Sequence, residues 1–116
     1  MYVLFIVLNE VSYLDAILEK FVQVGIGGAT VVDSQGMASA IVSSSGGRVP
    51  LFGSLKTLIE GARPYNKTIF AVLKSEALVE KAVGAVREVL YDAPPTGLGL
   101  MFTVPVANVY EMVPPR

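Results

Sequence analysis

Two short segments of the sequence carry residues that could bind an anion. The first is the run Gly97-Leu98-Gly99, whose glycines permit backbone conformations that turn successive N–H groups toward one point. Such a nest of backbone N–H groups binds phosphate or a similar anion without any charged side chain. The same pattern also suits a tight turn into a strand, and the sequence leaves both interpretations open.

The second segment holds the compact cationic and aromatic group Arg63, Tyr65 and Lys67. These residues alternate along the chain, so in an extended segment their side chains share one face and could meet an anionic ligand. The alternative interpretation is a solvated surface beside a turn. Either way, this group and the Gly-rich run are the strongest chemical signals in the sequence.

Several other kinds of chemistry are excluded by composition. The chain has no His and no Cys, so it lacks the commonest general base, the commonest ligand of transition metals and any thiol nucleophile. Nine basic and ten acidic side chains give a net charge of -1, which provides no positive field to attract nucleic acid or an anionic membrane. We therefore expect no nucleic-acid partner.

The first apolar run, at 2–8, is too short to span a membrane and has no basic flank of the kind found in signal peptides. The sequence predicts a cytoplasmic protein without a membrane span.

The length and the spacing of apolar residues predict one domain over 1–116. A chain of 116 residues with 53% apolar and 16% charged residues folds readily and buries roughly two thirds of its unfolded surface. Ser12 and Asp15 have the spacing of a helix capping box. The predicted elements are a strand at 2–8, a helix at 12–24, a strand at 29–33 that continues at 38–43, a helix at 50–61, a strand at 67–74, a helix from 75 to before Pro94, a strand at 98–104 and an extended piece at 106–112.

This order predicts an α+β fold of the ferredoxin-like split β-α-β type, with a four-stranded antiparallel sheet and two helices on one face. The segment 43–66 is predicted to be an inserted flexible and partly helical connection between strands 2 and 3. The first and third strands are apolar on both faces, whereas two helices can cover only one face. Because monomers seldom expose so large an apolar surface, we expect copies of the chain to associate.

Two motifs resemble the PII family of signal-transduction proteins. The first is Gly25-Ile26-Gly27-Gly28-Ala29-Thr30-Val31, followed five residues later by Gly36. The second is Thr96-Gly97-Leu98-Gly99-Leu100-Met101-Phe102, followed by Val104-Pro105-Val106. Together with the element order, the resemblance spans nearly the whole chain except 43–66.

The resemblance implies a homotrimer with small-molecule effectors bound in clefts between subunits and a mobile loop, here within 43–66, that engages a target protein. In that family the Gly-rich loop holds the phosphates of an adenine nucleotide. The residues of this chain at matching positions are Gly28, Thr30, Gly36, Gly97, Gly99 and, at the start of strand 3, Lys67. Leu98 lies between the two glycines of the loop and is included in the predicted ligand site.

The chain also departs from the family pattern. Leu98 and Leu100 stand where the family has Asp and Lys, and Glu111 and Val113 stand where it has paired arginines. The loss of three cationic groups removes charge-assisted hydrogen bonds worth roughly 1.5 to 3 kcal/mol each. These departures predict that ATP is not bound in the usual way. The 36–63 range also lacks Tyr, so it offers no acceptor for the family's uridylylation.

The leading hypothesis is thus a PII-like regulator rather than an enzyme. One alternative is a small oligomeric enzyme with an apolar cavity, which a buried Asp33, Tyr65 or Tyr91 would favour. A second alternative is a structural trimer without ligand. A metal-handling trimer would have to use Met and carboxylates alone.

Overall fold

The computed structural model describes residues 1–37 and 65–115. Within these ranges the chain forms four strands and two α-helices, with a short 3-10 turn at Val11–Tyr13. The elements in chain order are β1 (Tyr2–Leu8), α1 (Leu14–Gln23), β2 (Thr30–Ser34), β3 (Asn66–Leu73), α2 (Glu76–Val89) and β4 (Gly99–Pro105).

The strands form one antiparallel sheet in the order β2-β3-β1-β4. This arrangement confirms the predicted α+β, ferredoxin-like fold with a four-stranded sheet and two helices. β1 lies between β3 and β4, so that Phe5 pairs with Phe70 on one side and with Phe102 on the other. The two outer strands are β2 and β4.

The hydrophobic core lies between the helices and one face of the sheet. Alternate residues of the two central strands are buried, as the two-residue repeat of a strand requires. The helices contribute the remaining buried side chains. The core comprises Leu4, Ile6, Leu8, Ile17, Phe21, Ile26, Ile69, Ala71, Leu73, Ala82, Ala85 and Val86.

The end of α1 confirms that the first Gly-rich segment begins by terminating the helix. Gly25 has a φ of +92°, and its N–H donates to Val22 O at 3.2 Å while the Ile26 N–H donates to Phe21 O at 2.8 Å. This pair of hydrogen bonds is the Schellman motif. Phe21 and Ile26 are both buried, so the motif also turns the chain back onto the core.

The starts of the two helices differ from each other. Ser75 caps α2 by accepting a hydrogen bond from the Leu78 N–H at 3.2 Å. The predicted capping box at Ser12 and Asp15 is wrong, because the chain first makes the 3-10 turn and α1 then begins after Tyr13 without a side-chain cap. The Ser12 hydroxyl donates instead to Glu10 Oε1 at 3.1 Å.

The predicted elements not yet described lie after β4 or outside the described residues. The segment that follows β4 forms no strand, and its Val106 N–H donates to Met1 O at 2.9 Å. The predicted strand continuation at 38–43 and helix at 50–61 lie outside the described residues. In the described ranges no helix combines the length and apolar character needed to cross a membrane.

The second face of the sheet is also apolar, and neither α1 nor α2 lies on it. Phe5 stacks on Phe102 with ring centroids 5.0 Å apart, and its centroid is 5.9 Å from that of Phe70. Val72 and Val104 on the same face are 46% and 42% exposed. We call this surface, defined by Val3, Phe5, Val7, Phe70, Val72, Leu100, Phe102 and Val104, the open face.

Replacing Ser75 with Ala should destabilise the protein by about 1 kcal/mol, because the Leu78 N–H loses its capping acceptor. Ser12→Ala is the matched control and should change stability by less than about 0.5 kcal/mol, because Ser12 caps no helix. Urea unfolding followed by circular dichroism measures both. Equal losses in the two variants would contradict the assignment of the cap.

Candidate functional site

Polar residues collect at the end of the sheet where β1 and β2 finish and β3 and β4 begin. The register pairs Leu8 with Lys67 on one side and with Gly99 on the other. Lys67 and Gly99 are therefore separated by two inter-strand spacings, or roughly 10 Å. The structure thus brings the predicted lysine and the predicted Gly-rich run to one end of the molecule.

A cluster of uncharged side chains holds this end of the sheet together. The Ser34 hydroxyl donates to Asn66 Oδ1 and lies 2.9 Å from Thr68 Oγ1, while Asn66 Nδ2 donates to Asn9 Oδ1 at 3.3 Å. Asn66 is only 8% exposed, and an amide buried to that extent needs such partners. We call Asn9, Ser34, Asn66 and Thr68 the amide cluster. It connects the ends of β1, β2 and β3.

A cleft of about 380 Å³ lies beside the amide cluster and is lined by Val11, Asp33, Ser34, Tyr65, Asn66 and Lys67. Tyr65 and Lys67 thus reach the same cleft, as their alternation predicted, whereas Arg63 lies outside the described residues. The Lys67 ammonium forms an ion pair with the Asp33 carboxylate. The positive charge in the cleft is therefore already balanced by a carboxylate of the same chain.

The Gly-rich run is required by the fold itself. The Asn9 N–H donates to Leu98 O at 2.9 Å, which joins the run to the end of β1. Gly99 has a φ of +129°, and a Cβ there would lie 1.9 Å from Val7 O. Only glycine permits this approach of β4 to β1, so the interpretation of the run as a tight turn accounts for Gly99.

The other predicted ligand residues divide into two groups. Gly36 lies near the amide cluster, since a Cβ at this position would be 3.8 Å from Asn66 Nδ2. Thr30 pairs with Phe70 at the opposite end of β2, roughly 13 Å along the strand from Ser34, and Gly28 lies beyond it. Within one chain, Gly28 and Thr30 therefore do not belong to the cleft at Lys67.

The structure adds Asn9, Ser34 and Asn66 to the candidate site. Sequence reasoning missed them because each lies just outside a predicted strand, Asn9 and Ser34 after one and Asn66 in the turn before one. A signal was present, because antiparallel pairing brings the last polar residue of one strand beside the first polar residue of its neighbour.

The three residues considered above for acid or base chemistry are exposed rather than buried. The Asp33 side chain is 85% exposed, and Tyr65 and Tyr91 are 67% and 86% exposed. Among residues 1–37 and 65–115, no three carboxylates come together in a way that could hold a metal ion. The cleft presents neutral hydrogen-bonding groups together with the Lys67 ammonium and the Asp33 carboxylate.

The one marked pKa shift among the described residues lies away from this cleft. The Tyr2 hydroxyl donates to Glu76 Oε1 at 2.8 Å. This hydrogen bond, together with the negative charge of Glu76, raises the pKa of Tyr2 above its usual value of 10.0. The shift reflects an exposed contact between β1 and α2.

The described residues have a ferredoxin-like α+β fold. No protein-family model and no curated protein matches the chain. Among solved structures the chain is similar to PII from Arabidopsis thaliana, determined with bound citrate, with a TM-score of 0.61 and 18% sequence identity. The match covers 90% of this chain and 76% of that one. At this identity the likeness shows a shared PII-like fold.

Gly99→Ala should destabilise the protein by about 3 kcal/mol or more, because the new methyl group would collide with the Val7 carbonyl and the φ would be strained. Gly97→Ala is the matched control. Gly97 has a φ of +81° but no atom within 4 Å of a Cβ, so its variant should lose only about 1 to 2 kcal/mol. Thermal and urea unfolding compare the two, and equal losses would contradict the close approach.

Proposed function

We propose that the chain is a PII-like regulatory protein that forms a homotrimer, binds a small ligand between subunits and controls a partner protein. The observation that carries this proposal is the apolar open face on a PII-like fold. Burial of apolar surface stabilises by about 25 cal/mol per Å², so the rings of Phe5, Phe70 and Phe102 favour association of copies through this face.

The amide cluster links the open face to ligand binding. Ser34, Asn66 and Thr68 follow the same alternation as Phe70, so they lie on the open face at its polar end. If copies meet through this face, the cleft beside Asn66 and Lys67 borders the contact. A ligand there would touch two subunits, and its binding would alter their contact.

The charges near the cleft favour a small anion over a nucleoside triphosphate. Among the described residues, Lys67 is the cation that lines the cleft, and the Asp33 carboxylate balances its charge. Leu98 and Leu100 add no charge. A di- or tricarboxylate needs fewer cations than a triphosphate does, and the Arabidopsis thaliana PII was determined with bound citrate. An adenine nucleotide remains part of the proposal only if it is held mainly through its base and sugar.

The remaining parts of the proposal come from the family resemblance. They are a target protein engaged through 43–66, a cytoplasmic location and a regulatory rather than catalytic role. The net charge of -1 supports the proposal that nucleic acid is not a partner.

The proposed trimer is tested by Val72→Glu, which places a charge in the open face. We expect the wild-type protein to have three times the subunit mass of 12.3 kDa and the variant to dissociate, because burial of an unpaired carboxylate is costly. Val22→Glu is the matched control, since Val22 is 71% exposed on α1. Light scattering at micromolar concentration measures all three. A stable wild-type monomer would refute the trimer.

The proposed ligand site is tested by a thermal-shift and calorimetry panel of carboxylates, nucleotides and cyclic dinucleotides. A ligand of the cleft should bind Lys67→Met about tenfold or more weakly, because a hydrogen bond to a charged group is lost. Lys20→Met is the matched control, since Lys20 also forms an ion pair, with Glu88 at 2.9 Å, away from the cleft. Equal affinity of the two variants, or no binding across the panel, would count against the site.

A further inference from the structure

Two opposite charges lie side by side in the cleft beside the amide cluster. The register places Asp33 of β2 directly opposite Lys67 of β3, and the Lys67 ammonium donates to Asp33 Oδ1. Both residues line the cleft of about 380 Å³, and among the described residues that line it they are the two that carry a charge. The group proposed above to bind an anion is therefore already bonded to an anion of its own chain.

The two partners of this ion pair are held to different degrees. β3 lies between β2 and β1, so Lys67 pairs with Asp33 on one side and with Leu8 on the other. β2 is an outer strand. The Lys67 side chain is 34% exposed, whereas the Asp33 side chain is 85% exposed. The lysine is thus part of the wall of the cleft, and the carboxylate reaches it from the edge of the sheet while lying largely in solvent.

An ion pair with so exposed a partner exchanges easily. Water solvates the Asp33 carboxylate almost as well as the lysine does, so such pairs stabilise a protein little. Rotation of Asp33 into solvent frees an N–H donor of the ammonium, while β3 keeps Lys67 at the cleft. Opening the pair in this way lowers the affinity for an incoming anion by up to about fivefold.

We propose that the Asp33 carboxylate is an internal competitor, which occupies the anion position at Lys67 until a ligand displaces it. This inference rests on the proposed function, because it takes the cleft to be a ligand site, and it adds how that site is regulated. The measured affinity for an anion is the intrinsic affinity multiplied by the fraction of molecules in which Lys67 is open. After displacement the carboxylate stays attached to β2 near the bound anion and repels it.

The competitor raises the concentration at which any anion binds. A simple inorganic anion exchanges one acceptor of Lys67 for another and gains little. A carboxylate ligand with additional oxygen atoms can also use the neutral groups that line the cleft, which belong to Ser34, Tyr65 and Asn66. Only a ligand with such additional contacts therefore binds at low concentration, and Asp33 sets this threshold.

NMR of the lysine side chains in the intact protein tests the competition, with citrate as the probe. Asp33→Asn keeps the shape of the side chain and removes its charge. The signal of Lys67 is identified by its loss in Lys67→Met. We expect citrate to shift this signal at an about fivefold lower concentration in Asp33→Asn than in the wild type, because the lysine then has no charged competitor.

Two matched variants separate competition from a general change in charge. Glu19→Gln removes one negative charge from the exposed side of α1 and should leave the citrate midpoint at the wild-type value. Asp33→Glu keeps a carboxylate at the competing position and should also bind citrate like the wild type. If Glu19→Gln increased the affinity as much as Asp33→Asn does, net charge would account for the effect and the competition would be overturned.

The competition and the proposed ligand site fail in different ways. Equal citrate midpoints for the wild type and Asp33→Asn would eliminate the competition and retain the ligand site. Weaker binding by Asp33→Asn would make Asp33 a contact that supports the ligand, and would also overturn the competition. If citrate shifted the Lys67 signal in neither protein, the competition and the proposed carboxylate site would both be refuted.

Discussion

The structure depends on a mismatch between the sheet, which has two apolar faces, and its helices, which cover only one of them. Four antiparallel strands offer two faces, both apolar at the centre, and α1 and α2 lie on the same one. The covered face supplies the whole buried core of the described residues. On the other face the Phe5 ring contacts the rings of Phe70 and Phe102, and no helix of the described residues covers them. The assembly proposed above follows from the need to cover what the helices leave open.

On the open face, apolar packing is found at the centre of the strands and hydrogen bonding at one end of them. The centre of the open face is aromatic and aliphatic, whereas its end at Asn66 is amide and hydroxyl. An interface across such a face combines a nonspecific attractive centre with a specific polar rim, the distribution found in many protein interfaces. In the assembly proposed above, a ligand at this rim would contact both subunits directly.

Much of the fold was predictable from the sequence because it depends on local patterns. The two-sided apolar runs at β1 and β3 gave the central strands, and Ser75 marked the start of α2. The failure at Ser12 is also local, since a 3-10 turn can replace the first helical turn without a change in the apolar spacing. The likeness to PII was recognisable from glycines, of which Gly25 and Gly99 prove to serve helix termination and strand pairing.

The candidate site was less predictable because it depends on contacts between distant parts of the chain. Ser34 and Asn66 meet only through the register of β2 on β3, and no periodicity within either strand specifies that register. The clefts between β4 and α2 have a similar origin, since they arise from the lateral position of α2 over the sheet. The amphipathic spacing of a helix defines which side faces the sheet but not which strands it covers.

The uncharged nature of the amide cluster makes its hydrogen bonds insensitive to acidity. Asn, Ser and Thr side chains do not titrate, and the chain contains no His, the residue whose ordinary titration falls between about pH 5 and 8. Acidification of the surroundings over that range would leave these hydrogen bonds intact. The contacts that join the ends of β1, β2 and β3 through the amide cluster are therefore the same in acidic and in neutral surroundings.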